Sequence, residues 1–133
     1  MNINFKRLSD GELETFITMR IKQLREEGAT EDIDLRPALR SYYDKHMKDG
    51  TFVSWIALAG EKIVGTSGMS FVEKPPYFGC TSGRIGLLSS MYTDNDYRRR
   101  GIAKKLLSLI VEDARKYGCG TIQITASDMS SAC

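Results

Sequence analysis

Apolar residues recur every three or four positions in three parts of the chain, and this spacing predicts three amphipathic helices. The first helix is expected between the capping pair Ser9-Asp10 and Gly28, the second over residues 34–48, and the third over residues 102–117. A glycine follows each of these stretches within two residues, as is common where helices end.

The remaining apolar stretches are short and rich in β-branched or aromatic residues, which is typical of strands. Five strands are predicted, over residues 3–8, 52–58, 63–71, 84–93 and 121–126. The turn Gly60-Glu61 joins the second and third strands in a hairpin. The resulting order, β-α-α-β-β-β-α-β, predicts an α/β fold whose helices cover the faces of a sheet.

Length and composition restrict the class of protein further. The 133 residues predict one domain, residues 1–133, and the 41% hydrophobic and 27% charged content is that of a globular protein. A net charge of +2 gives no reason to expect a general nucleic-acid or membrane-surface binder. No apolar stretch approaches the roughly 20 residues that span a bilayer, and the first 13 residues lack a signal-peptide pattern, so a cytoplasmic location is predicted.

The cysteines and the histidine give no sign of a metal site. Cys80, Cys119 and Cys133 are odd in number and have no C-x-x-C spacing, and His46 is the sole histidine. Neither a disulfide framework nor a bound metal is therefore expected. His46 stands in a stretch rich in Lys and Asp and is predicted to be a solvated surface residue.

A cluster of cations stands where the fourth strand leads into the third helix. Its five members, with no acidic residue among them, are Arg98, Arg99, Arg100, Lys104 and Lys105. A helix N-terminus is a natural seat for phosphate, and the small residues Gly101 and Ala103 would let one approach closely. The segment matches neither the Walker A nor the G-x-G-x-x-G pattern. It indicates a phosphate-bearing ligand other than ATP or NAD, with a solvated basic turn as the alternative.

The pattern Arg98-x-x-Gly101-x-Ala103 follows a strand ending Met91-Tyr92-Thr93 and opens an amphipathic helix. In this setting it resembles the R/Q-x-x-G-x-G/A motif of the GCN5-related N-acetyltransferase (GNAT) family. The first helix, with its Met19-Arg20 pair, is similar to small-molecule members of that family. The resemblance covers essentially the whole chain. It implies a mixed central sheet flanked by helices, and acetyl-CoA as cosubstrate.

The resemblance also implies a set of cofactor-binding residues. The backbone N–H groups of four consecutive residues would hold the pyrophosphate: Arg100, Gly101, Ile102 and Ala103. Three side chains would add positive charge: Arg98, Arg99 and Lys104. The strand residues Met91, Tyr92 and Thr93 would lie along the pantetheine arm, which Ser127 would also contact. The Met91 N–H would polarise the thioester carbonyl as an oxyanion donor.

The reaction that the resemblance implies is direct attack of a primary amine on the thioester. Many family members carry a glutamate base on the strand before the motif, but this strand has none there. Ser90, Tyr92 and Glu27 are the remaining candidates to accept or relay the proton. The family's tyrosine acid, in a helix after the last strand, also has no counterpart. The resemblance implies that helix and two further strands, so we expect a C-terminally incomplete domain or strands supplied by a partner.

Other interpretations of the sequence stay open. The missing base and acid favour, as an alternative, a non-catalytic module that binds acyl-CoA. Nucleic acid is a weak candidate ligand, because the aromatic residues are not interleaved with the cations. The expected partners are a small-molecule amine and, in a homodimer, a second copy of the chain, with peptide N-termini as further acceptors. Arg20 falls on the apolar face of the first helix, as an ion-paired side chain or as part of a pocket for an acceptor carboxylate.

Overall fold

The computed structural model describes residues 2–124 of the chain. Within them, helices and strands follow one another in the predicted order. Their bounds are Ile3–Arg7 (β1), Leu13–Glu26 (α1), Arg36–Asp49 (α2), Phe52–Val53 (β2), Trp55–Ala59 (β3), Lys62–Glu73 (β4), Arg84–Thr93 (β5), Ile102–Tyr117 (α3) and Thr121–Ile124 (β6). Short 3-10 turns, Asp10–Glu12 and Asn95–Tyr97, lead into α1 and towards α3.

The strand expected over residues 52–58 is divided at Ser54 into β2 and β3. The Ser54 hydroxyl donates to the carbonyl of Ser67 at 2.5 Å, and the Ser67 hydroxyl accepts from the Trp55 N–H at 3.1 Å. Side-chain hydrogen bonds thus replace the regular strand ladder at this point. The alternation of apolar residues carries no signal of such an interruption.

His46 is not the solvated residue that its neighbours suggested. Its ring is half-buried, lies 4.2 Å from the ring of Tyr42, and has Nδ1 2.6 Å from the hydroxyl of Thr51. A carboxylate oxygen of Asp49 lies 3.9 Å from the same nitrogen. The ring therefore packs among specific aromatic and polar neighbours, which the composition of the stretch did not indicate.

The strands form a mixed sheet, as the family resemblance implied. The order across the sheet is β1-β3-β4-β5-β6, with β2 paired to the distal part of β4. Neighbours from β1 to β5 are antiparallel, whereas β6 runs parallel to β5. Between residues 2 and 124, β6 pairs with β5 only from Ile85 to Leu88, while β4 continues alongside β5 as far as Thr93.

Each face of the sheet has its own apolar core. Helices α1 and α2 cover one face, with a core formed by Leu8, Leu13, Phe16, Ile17, Tyr43, Phe52, Ile56 and Ile63. Helix α3 covers the other face, with a core that includes Ala57, Val64, Met69, Met91, Ile102, Leu106, Ile110 and Ala114. Because alternate residues of a strand point to opposite faces, β5 can present side chains to both layers.

Besides its apolar core, α3 meets the sheet closely at two places. The carboxylate of Asp113 in α3 accepts hydrogen bonds from both terminal guanidinium nitrogens of Arg7, at 2.9 and 2.7 Å. It also accepts one from the indole N–H of Trp55, at 2.8 Å. Nearer the start of α3, a Cβ at Gly65 of β4 would lie 2.9 Å from Ile102 Cγ2. The absent side chain at Gly65 therefore lets the beginning of α3 lie directly on β4.

Neither a membrane span nor a metal cluster is found in the part of the chain that the structure describes. None of its helices is both long and apolar enough to cross a bilayer. No group of three His, Cys, Asp or Glu side chains within residues 2–124 is placed to hold a metal ion.

The Gly65→Ala substitution tests the close packing of the start of α3 on β4. A methyl group at this site would overlap side-chain atoms of Ile102 and Leu106, so these side chains or the start of α3 must shift. We therefore expect the free energy of unfolding to fall by about 1–3 kcal/mol. Gly11→Ala is the control, because the nearest atom to its added Cβ would be 4.0 Å away. Denaturant unfolding of both variants measures the difference. Equal stability of Gly65→Ala and the wild type would contradict the close approach of α3 to β4.

Candidate active site

Strand β5 carries a bulge in its C-terminal half. Thr66 of β4 pairs with Tyr92, whereas Gly68 pairs with Ser89, so Ser90 and Met91 together lie opposite one residue of β4. Ser90 has a positive φ of 57°, which is uncommon outside glycine. Such bulges redirect backbone groups and are frequent beside active sites.

The bulge turns one backbone N–H away from β4. The Thr66 hydroxyl of β4 donates to the carbonyl of Ser90 at 2.6 Å, so this carbonyl points towards β4. In a planar trans peptide the C=O and the following N–H point in opposite directions. The N–H of Met91 is therefore directed to the side of β5 on which β6 lies, beyond the last described β5–β6 pair at Leu88.

A row of polar residues at the C-terminal end of α1, including Glu27 just after its last residue, approaches the same bulge. Gln23 is almost fully buried, and its side-chain N–H donates to the carbonyl of Met91 at 3.1 Å. Arg20 donates to the side-chain oxygen of Gln23 at 3.1 Å, and Glu27 lies 3.5 Å from the Gln23 amide nitrogen. Sequence reasoning singled out Arg20 and Glu27 but missed Gln23. Helical spacing could have identified Gln23, because residues 20, 23 and 27 share one face of a helix.

The other two candidates for proton transfer, Ser90 and Tyr92, lie on the face of the sheet covered by α1 and α2. Ser90 Oγ is buried near the hydroxyl of Tyr43 from α2. Burial raises the pKa of Tyr43 above its usual range. Burial, and then the charge of Glu26, likewise raise the pKa of Tyr92. A phenol with a raised pKa stays protonated near neutral pH, so Tyr92 is poorly suited to be a base.

The cationic turn after β5 has the backbone conformation expected of a phosphate-binding loop. Arg99 and Gly101 both have positive φ, at 64° and 78°, and Gly101 caps the N-terminus of α3. Successive changes of backbone hand turn N–H groups to one side of such a loop. Apart from the adjacent residues of the chain, no described atom lies within 4 Å of the position that a Cβ of Gly101 would take, so the loop is open there.

A cavity of about 200 Å³ lies against this loop. It is lined by Thr93, Tyr97, Arg98, Arg99, Gly101, Ile102, Ala103 and Lys104. Thr93 is only 2% exposed, and its hydroxyl has no hydrogen-bond partner among the described residues. The cavity therefore combines positive side chains, helix N–H groups and an unused buried hydroxyl, a donor set that suits a phosphate or a polar cofactor arm.

The arginines of the turn have different local roles. Arg98 donates to the carbonyl of Thr93 at 2.9 Å and so ties the loop to the end of β5. The Arg100 guanidinium lies 5.0 Å from the centre of the Tyr97 ring. Arg99 and Lys104 are exposed and border the cavity. Ser127, the last of the sequence-predicted contacts, lies outside the described residues.

Most of the sequence-predicted site residues therefore lie along one continuous path. The path starts at the bulge of β5, follows the strand to Thr93, and ends at the N-terminus of α3. A bulged strand that leads into a cationic helix N-terminus suits an extended ligand with phosphate at one end. An α/β sheet with an extended site that ends in a cationic loop is the arrangement expected of a protein that binds a long, phosphate-bearing ligand.

The chain belongs to the Acetyltransferase (GNAT) family, whose sequence model matches residues 15–132. Among solved structures, a predicted acetyltransferase of Clostridium acetobutylicum with acetyl-CoA is 27% identical; the match covers 96% of this chain and 83% of that one, with a TM-score of 0.90. AAC(6')-Iy, solved with the bisubstrate analog CoA-S-monomethyl-acetylneamine, is 18% identical; the match covers 95% of this chain and 80% of that one, with a TM-score of 0.75, and shows the shared fold.

A curated relative is N-acetyltransferase 8B of Rattus norvegicus, which is 36% identical over 76 residues. The match covers 56% of this chain but 32% of that protein, so the chain corresponds to about a third of the relative's length.

Proposed function

We propose that this protein is an acetyl-CoA-dependent N-acetyltransferase that acts on a primary amine of a small molecule. The observation that carries the proposal is the continuity of the site: the N–H of Met91, turned away from β4, and the open loop at Gly101 are joined by one strand end. An acetyl-CoA molecule needs both contacts, one for its thioester carbonyl and one for its pyrophosphate.

The residues present fit that cosubstrate. The N–H groups of Arg100 to Ala103 would receive the pyrophosphate, helped by the charges of Arg99 and Lys104. The buried Thr93 hydroxyl and the backbone of β5 would meet the pantetheine arm. The Met91 N–H would stabilise negative charge on the carbonyl oxygen, a contact that contributes about 3 kcal/mol where it has been measured in other enzymes.

Glu27 is the best placed of the three candidates for general base. It is the one carboxylate among them, and it lies beside Gln23, which itself contacts Met91. One of its side-chain oxygens is shielded from solvent. Ser90 is a weak base by its chemistry, and the raised pKa of Tyr92 keeps that phenol protonated. We propose that Glu27 accepts the proton of the attacking amine, directly or through a water molecule.

We propose a small molecule, rather than a peptide N-terminus, as the acceptor. The bisubstrate analog bound to AAC(6')-Iy joins CoA to acetylneamine, so the shared fold accommodates such an acceptor in that protein. Arg20, Gln23 and Glu27 would provide both a positive and a negative group beside the reacting centre, which suits a polar amine better than an apolar one.

The first test is thermal stabilisation by acetyl-CoA. At about 100 times the dissociation constant, we expect the melting temperature to rise by roughly 5–15 °C. Gly101→Glu should abolish the rise, because a carboxylate would face the pyrophosphate. Gly50→Glu is a matched control: Gly50 has φ 80°, has equally open surroundings, and lies at the end of α2. An unchanged wild-type melting temperature in saturating acetyl-CoA would contradict cosubstrate binding.

The second test is Glu27→Gln, assayed by thiol release with the best acceptor from a screen of amines, amino acids and aminoglycosides. Removing a general base lowers kcat by about 10²- to 10⁴-fold, and KM for acetyl-CoA should change little. Glu112→Gln, on the exposed side of α3, serves as the control. Retention of kcat within a few-fold would exclude Glu27 as the base. Binding of acetyl-CoA by the wild type without turnover on any acceptor would favour the acyl-CoA-binding module instead.

A further inference from the structure

The two carbonyl groups that flank Met91 are held by side chains from two different elements. Thr66 of β4 donates to the carbonyl of Ser90 at 2.6 Å, and Gln23 of α1 donates to the carbonyl of Met91 at 3.1 Å. Both side chains are nearly inaccessible to solvent, with 3% and 1% exposure. The bulge interrupts the strand ladder here, so side chains provide hydrogen bonds that backbone groups would normally make.

These two contacts fix the direction of the Met91 N–H. The carbonyl of Ser90 and the N–H of Met91 belong to the same rigid peptide plane, so a hydrogen bond to one sets the direction of the other. The Gln23 contact fixes the next plane and so restricts rotation about the bonds of Met91. Without them, the positive φ of Ser90 leaves the bulge in a backbone conformation of limited intrinsic stability.

Arg20 in turn determines which way the Gln23 amide faces. A guanidinium only donates hydrogen bonds, so the Gln23 atom 3.1 Å from Arg20 must be the oxygen. The nitrogen is then the atom that reaches the carbonyl of Met91. This contact gives a reason for an arginine on the apolar face of α1.

We propose that Thr66 is a positioning residue for acetyl transfer, and that Gln23 supports it: together they aim the Met91 N–H at the acetyl carbonyl. This inference rests on the proposed function, since it takes that carbonyl as the ligand of the N–H. Neither side chain touches the reacting atoms. They act on the hydrogen bond between the Met91 N–H and the acetyl carbonyl. Acetyl-CoA can make this bond, whereas CoA cannot, because it lacks the acetyl carbonyl.

The experiment compares the affinities of acetyl-CoA and CoA by calorimetry. Thr66→Val keeps the shape of the side chain but removes the donor, so the Kd for acetyl-CoA should rise by about 2- to 10-fold, the value of one hydrogen bond. The Kd for CoA should stay within about 2-fold, and Thr66→Ser should restore the wild-type ratio. The control is Thr18→Val, the same substitution at an exposed hydroxyl of α1 that donates to the carbonyl of Glu14 in the same helix.

The outcomes separate this inference from the function on which it rests. Failure of the wild type to bind either ligand would overturn both. Binding of both ligands with an equal loss, or no loss, in Thr66→Val would overturn the positioning role alone, because a purely structural effect moves both affinities. If Thr66→Val does not fold, Gln23→Met provides the same test: a selective loss of acetyl-CoA affinity supports the proposal, and an equal or absent loss contradicts it.

Discussion

The bulge in β5 is the constraint on which the candidate site depends. A regular antiparallel pair would direct the backbone groups around Met91 into hydrogen bonds with β4. The extra residue at Ser90 breaks this ladder, and the carbonyl of Ser90 accepts a hydrogen bond from the side-chain hydroxyl of Thr66. The N–H of Met91 then faces the side where β6 lies. Helix α1, through Gln23, and strand β4, through Thr66, both contribute to this single local geometry.

The second end of the site depends on a conflict between charge and helix electrostatics. Cations near a helix N-terminus are unfavourable, because the dipole already places positive charge there. Arg99 adds backbone strain, since its φ of 64° is rare for a residue with a side chain. Both features lower the stability of the free protein, and both are offset when an anion occupies the loop. Violations of local rules of this kind are expected at functional sites.

The sequence was informative wherever the signal is local. Helical spacing predicted α3 from Ile102 to Tyr117, and the motif from Arg98 to Ala103 led to the family. Contacts between distant residues were not predictable. The hydrogen bond from Thr66 to Ser90 spans 24 positions, and that from Gln23 to Met91 spans 68. The spacing of apolar residues does not indicate such contacts. In the sequence, the extra residue of the bulge cannot be distinguished from the other residues of a continuous strand.

In the proposed complex, the Met91 N–H is directed at the acetyl carbonyl. The most direct measurement is the amide resonance of Met91 in a ¹⁵N-labelled sample, recorded with CoA and then with acetyl-CoA. Both ligands should shift the amides of Arg100 to Ala103, whereas acetyl-CoA alone should move the Met91 amide proton downfield, as a new hydrogen bond does. A Met91 amide that responds identically to the two ligands, while the loop amides shift, would contradict the claim.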